Sequence, residues 1–303
     1  MNRVRHILTT ALLATTLVLP TAAQGAVTIG IDHIPVVVHD LERASETYEA
    51  LGFALKPGRP HDNGVRNAHV KFPDGAGIEL LTVGVVGDLA SGHVASAPAA
   101  SVPMAPDRLA AHYARLLESG EGPAFFTFHA RNTDDLHDAL RAGGYEFRRD
   151  VEITTLLAPE LGGLFFVRDN RSPTDQPEHF AHPNGATQLR AVWIATEHRD
   201  ALVRLLVGLG GRSEPRRVLA PEPVDATVVT LAEGEVVLLS DEHQLIPGRP
   251  VIGASFLVPD LERARITLTQ SGVAPWKDAG PAERVVVEPS RAHGIWLEFR
   301  AGG

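Results

Sequence analysis

From about residue 27 onward, short runs with apolar residues at most positions alternate with stretches where they recur every three or four residues. The stretch Ile31-Asp32-His33-Ile34-Pro35-Val36-Val37-Val38 predicts a strand. Leu41, Ala44, Tyr48 and Leu51 then predict an amphipathic helix that starts at an Asp40 N-cap and stops at Gly52. The pentapeptide Asp-Leu-Glu-Arg-Ala that opens this helix occurs at 40–44 and again at 260–264. A strand, a capping residue and a glycine twelve positions later recur four times: Asp40 with Gly52, Asn132 with Gly144, Thr196 with Gly208, and Asp260 with Gly272. The strands before those caps fall at 31–38, 124–130, 189–195 and 251–258, and shorter β-like segments follow each helix, so the repeating unit reads βαβββ. Caps two and three, and three and four, lie 64 residues apart, whereas caps one and two lie 92 apart. The excess sits around 84–122, a stretch rich in Ala, Ser, Gly and Pro followed by a predicted surface helix over 107–118, which reads as an insertion or lid. The polar segment 169–188, with Pro173, Pro177 and Pro183, reads as the linker between two halves.

Residues 1–26 stand apart from this pattern. Arg3 and Arg5 precede an apolar run from Ile7 to Leu19, and Pro20 leads into small residues, the arrangement of a secretory signal peptide. The run is too short to span a bilayer, so the mature chain is expected to lack an integral membrane segment and to be secreted or periplasmic. Composition narrows the chemistry. The 303-residue chain carries 28 basic against 37 acidic residues, a net charge of −9, and only three of the basic residues are lysine. That excess disfavours nucleic acid as a partner, because a basic surface is needed to displace counterions. With no cysteine, disulfides, thiolate nucleophiles, iron–sulfur clusters and Cys-held zinc are excluded. No P-loop, Gly-x-Gly-x-x-Gly, Gly-x-Ser-x-Gly or His-Glu-x-x-His is present.

The four units, the opening 31–41, the strand Gly77-Ile78-Glu79-Leu80-Leu81, the segment Gly58-Arg59-Pro60-His61-Asp62-Asn63-Gly64 with Asn67-Ala68, and His182-Pro183-Asn184-Gly185-Ala186 resemble the vicinal oxygen chelate superfamily and, within it, glyoxalase-like domain proteins. The likeness is dense over the first unit, looser to about residue 190, and rests on the repeat alone beyond. The resemblance implies an α+β fold in which βαβββ modules pair around a cup of curved, mixed sheet. Four modules then imply two tandem domains, 27–180 (with the insertion 84–122) and 187–303, after the signal peptide 1–26. In metal-using relatives each module supplies one ligand from its first strand and one from its last.

On that rule His33 and Glu79 are the first module's metal candidates, but the register puts Phe125, Leu189 and Gly253 at the His33 position elsewhere, and Phe165 or Phe166, Val237 and Glu298 at the Glu79 position. The ligand set is incomplete in both halves. His61 and His182 are the candidates to extend it, giving a His/carboxylate site for one divalent ion such as zinc, iron, manganese or nickel. Absence of a cofactor stands beside this as an equal alternative. Glu79, a carboxylate between two apolar residues, is the candidate catalytic group, and Asn67 and His69, on one face of the same strand, are candidate substrate contacts. Each has a plain structural alternative: a core histidine at His33, a solvated strand face at Glu79, turn chemistry at His61 and His182, and a pairing with arginine at Glu298. Two functions remain, a metal-dependent lyase, isomerase or dioxygenase, and a metal-free protein that sequesters a small molecule. The partner in either case is a small molecule, and a homodimer is left open.

Overall fold

The computed structural model describes residues 27–58, 61, 64–83, 106–150, 153–168, 170–276 and 283–302. The signal-peptide assignment lies outside the described residues, as does 84–105 of the insertion. Module one runs through β1 (Ile29–Ile31), β2 (His33–Val37), α1 (Leu41–Ala50), β3 (Lys56–Pro57), β4 (Val65–Lys71) and β5 (Gly77–Val83). The inserted helix α2 (Pro106–Glu118) follows. Module two comprises β6 (Gly122–Pro123), β7 (Phe126–Ala130), α3 (Thr133–Ala142), β8 (Phe147–Arg149), β9 (Ile153–Leu156) and β10 (Leu164–Arg168). Module three holds β11 (Gln188–Ala195), α4 (Arg199–Gly208), β12 (Arg212–Leu219), β13 (Pro223–Thr230) and β14 (Glu235–Leu239). Module four holds β15 (Val251–Val258), α5 (Leu261–Gln270), β16 (Arg284–Val287) and β17 (Trp296–Ala301), two strands rather than three after its helix among the described residues.

Local chemistry explains where the helices begin. Asp40, Asn132 and Asp260 each accept hydrogen bonds from first-turn amides. Gly52, Gly144 and Gly272 each close a helix in the left-handed region, at φ of 81°, 74° and 73°. The third unit departs from expectation. Thr196 accepts from the His198 amide in a local turn, His198 becomes the N-cap, and the left-handed residue is Gly210 rather than Gly208.

In every module the first strand lies parallel to the last, as β2 on β5, β7 on β10, β11 on β14 and β15 on β17. The two modules of a half meet along antiparallel first strands. Ile31 lies opposite Phe128 and Val36 opposite Pro123, one unbroken register that joins the two five-stranded sheets of the first half into a cup. In the second half β11 and β15 pair likewise and give a single seven-stranded sheet.

The helices and outer sheet faces of all four modules share one apolar core. Phe53 packs on Phe256 and Phe299 with ring centroids 5.1 and 5.7 Å apart, and Phe72 meets Phe256 at 5.8 Å. Fully burying each such ring is worth roughly 1.5–3 kcal/mol, so the two halves stabilise one another. The segment between them is a packed strap rather than a free linker: Asp175 binds Lys56 Nζ at 2.6 Å and Lys71 Nζ at 2.9 Å.

The two cups differ inside. In the second, Trp193 lies over Gly253, where a Cβ would come within 2.3 Å of its ring. Its indole N–H donates to Ser255 Oγ at 2.9 Å, which donates to Glu298 at 2.6 Å, and Arg284 pairs with the other Glu298 oxygen at 3.0 Å. Glu298 thus takes the arginine partner expected for it.

Candidate functional site

The seam of the first cup places its chemistry. At Asp32, between β1 and β2, the strand stops pairing with β7 and starts pairing with β5. The Asp32 amide donates to Thr127 O and its carbonyl accepts from Gly77 N, both at 2.8 Å. The kink brings the wholly buried Asp32 carboxylate onto its neighbour's ring, with Oδ1 bonded to His33 Nδ1. Thr127 Oγ1 accepts from the His33 amide at 3.1 Å, donates to the His33 carbonyl at 3.0 Å, and also lies 3.0 Å from Nδ1. With Nδ1 committed, Nε2 is aimed into the cup.

There it meets Glu79. Register pairs Glu79 with Pro35 on β2 and with His69 on β4, and the side chains converge: His33 Nε2 is 3.3 Å from Glu79 Oε2, while Asn67 Nδ2 donates to Oε1 at 2.6 Å and His69 Nε2 lies 3.9 Å from it. Burial works to lower the His33 pKa, but the hydrogen bonds and charges of Asp32 and Glu79 outweigh it and raise the value to about 10. Burial works to raise the Glu79 pKa, but the His33 hydrogen bond and charge, with help from His69 and Asn67, hold it down to about 2. Burial lowers the His69 pKa, which leaves that ring neutral. The pair is therefore an imidazolium and a carboxylate, with Asp32 behind the imidazolium.

His33 and Glu79 line a cavity of about 190 Å³. Val65 and Leu81 line it from module one, Phe125, Thr127, Ile153, Phe165 and Val167 from module two, and Leu109 and Tyr113 from α2. Phe125 and Phe165 meet edge to face at 4.9 Å. They occupy the places of His33 and Glu79 in the second module: Phe165 lies opposite Thr127 as Glu79 lies opposite Pro35. The inserted helix is not a plain surface helix, because Ala110 and Tyr113 are buried against this cup.

His61 lines the cavity, and Asn67 and His69 approach Glu79 away from the cavity wall. His182 is a correction. It is 3% exposed, its Nδ1 accepts from Ala54 N at 3.0 Å and its Nε2 donates to Lys71 O at 3.0 Å. With both nitrogens spent on backbone, it staples the strap to module one and has no lone pair for an ion. His137 is likewise buried, at 2% exposed, and stacks on Phe147. Asp32, Thr127 and Tyr113 were not singled out by the sequence reading. Asp32 should face away from His33 on a regular strand, and only the kink at the seam reverses that.

The donor set can be tested against a divalent ion. His33 Nε2 and Glu79 Oε2 sit at a separation two ligands of one ion could have, and a carboxylate behind Nδ1 is the usual support for a ligating histidine. The remaining positions fail, because Phe125 and Phe165 replace the second module's ligands. Among the described residues no three His, Asp or Glu side chains are gathered to hold an ion. The described residues do not complete a metal site.

The fold and this cup are those of the vicinal oxygen chelate class. The glyoxalase-like domain family matches residues 31–210, and the chain belongs to it. Among solved structures, a hypothetical protein from Staphylococcus aureus superposes with a TM-score of 0.60 at 11% identity, covering 90% of this chain and 100% of that one. The 2,3-dioxygenase LapB from Pseudomonas sp. KL28 does so at 0.56 and 14% identity, covering 90% and 92%. Homoprotocatechuate 2,3-dioxygenase from Brevibacterium fuscum, in complex with 3,4-dihydroxyphenylacetate, gives 0.56 and 12%, covering 92% and 82%. At such identities the likeness is one of fold. A search of curated proteins finds no match.

Proposed function

We propose that the first cup binds a small, largely apolar molecule bearing one or two oxygen functions, and does so without an obligatory metal. The observation that carries this reading is the His33–Glu79 pair, 3.3 Å apart, lining a cavity that Phe125 and Phe165 also line. An imidazolium N–H can donate to a ligand oxygen and a carboxylate can accept from a hydroxyl, so the pair can orient a ligand and hold or move one proton between these two atoms. The apolar wall supplies affinity through burial. A thermal-shift screen of small alcohols, ketones and carboxylic acids on chelator-treated protein should yield stabilising compounds whose effect is lost in Glu79→Gln. Stoichiometric zinc, iron, manganese or nickel that survives dialysis, together with stabilisation that requires it, would overturn the metal-free reading in favour of a metal-dependent enzyme. From the sequence alone we also propose export, with cleavage between Gln24 and Val27; intact Met1 on protein from an exported fraction would disprove it.

A further inference from the structure

The cavity lies in the first half, yet the helix that roofs it is held by the second. Helix α2 faces the cavity through Leu109 and Tyr113. At its end Leu116 O accepts from the Ser119 amide at 3.1 Å and the Ser119 hydroxyl at 2.9 Å, and also from Arg249 Nη2, which reaches Ser119 Oγ at 3.1 Å. Arg249 comes from the turn before β15 and is 4% exposed. Three residues past the helix, Glu121 accepts from the His39 amide at 2.8 Å and lies 2.7 Å from His293 Nδ1, while His293 Nε2 lies 3.1 Å from Thr47 Oγ1 on α1. Gly294, at φ of 84°, lets the same second-half loop press on the chain here: a Cβ would fall 2.3 Å from Glu121 O and 2.9 Å from Gly122 Cα. Two second-half loops thus grip the exit of the helix that covers the first cup.

We propose that the second half, whose own cup Trp193 occupies, acts as the anchor of this lid, with Arg249 as the positioning residue that sets how closely α2 closes over the cavity. The grip is built to release. Nε and Nη1 of Arg249 are buried without hydrogen-bond partners, a costly state for a guanidinium. Swinging the side chain out gives these atoms water and removes the Arg249 contacts to Leu116 O and Ser119 Oγ. The inference rests on the first cup being a ligand site, but the lid can be measured without the natural ligand.

Hydrogen exchange on the full-length protein tests it. Arg249→Gln should lower protection of the α2 amides at least tenfold and leave β2, β5 and the seven-stranded sheet unchanged. Benzene, a probe of apolar cavities that needs neither His33 nor Glu79, should enter faster, read from exchange at the Leu81 and Leu109 methyls. Gly294→Ala, which wedges the loop off Gly122, should act in the same direction and serves if Arg249→Gln does not fold. Unchanged α2 protection overturns the proposal. So does an equal loss of protection everywhere, or loss of the fold in both variants, since either makes these residues general supports of the structure.

Discussion

His33 owes its charge to two carboxylates that approach it from opposite sides, and this sets a pH dependence. Its pKa of about 10 in the folded chain stands above the ordinary 6.5. Its contribution to stability is therefore complete below pH 6.5 and is lost as pH rises to about 10. Glu79 works the other way: held at about 2 against an ordinary 4.5, it contributes fully above pH 4.5 and loses the contribution as pH falls to about 2. Urea titrations should show wild-type stability declining between pH 6.5 and 10 more steeply than that of His33→Gln, with the two curves converging at the alkaline end. Parallel curves would show that the folded pKa of His33 is not raised. The carboxylate at Glu79 was legible as an anomaly between Ile78 and Leu80, because charge on an apolar strand demands a partner. Which partner answered it was not, since 46 residues separate it from His33. His182 shows the converse: its turn-like context hid a buried residue with both nitrogens bound to backbone.

The βαβββ unit was readable wherever its signals are local. A cap accepts from amides two and three residues on, and a left-handed glycine ends the helix, so Asp40, Asn132 and Asp260 announced their helices directly. Thr196 misled because its hydroxyl spent itself on a turn before the helix began. Strands carried a different limit, as alternation tells which residues share a face but not what lies across it. Gly253 is the clearest case. Its missing side chain leaves room for the Trp193 ring, and Gly253→Ala should destabilise the chain by about 1–3 kcal/mol through overpacking. Urea midpoints for Gly253→Ala, alone and with Trp193→Leu, give the check. The double variant should recover part of the alanine's cost, and strict additivity would show that the two residues do not compete for the same space.

The whole molecule is a quasi-symmetric fold with its symmetry broken where ligands would sit. Module two offers Phe125 and Phe165 in place of His33 and Glu79. Restoring the pattern with Phe125→His and Phe165→Glu should complete a four-donor set and bind zinc at least tenfold more tightly than wild type, by elemental analysis and calorimetry. A folded double variant with unchanged zinc binding would mean that the cup's shape, not only its residues, rejects the ion. Periodicity, caps and glycines specified four modules and their order along the chain, because each depends on residues a few positions apart. Tertiary pairing alone decided that one seam would kink Asp32 onto His33, that aromatic rings and α2 would close the cavity, that Trp193 would occupy the second cup, and that the second half would hold the lid. Those outcomes depend on strand register and on side chains meeting across tens to hundreds of residues, and no local pattern encodes which of two equivalent faces will find which partner.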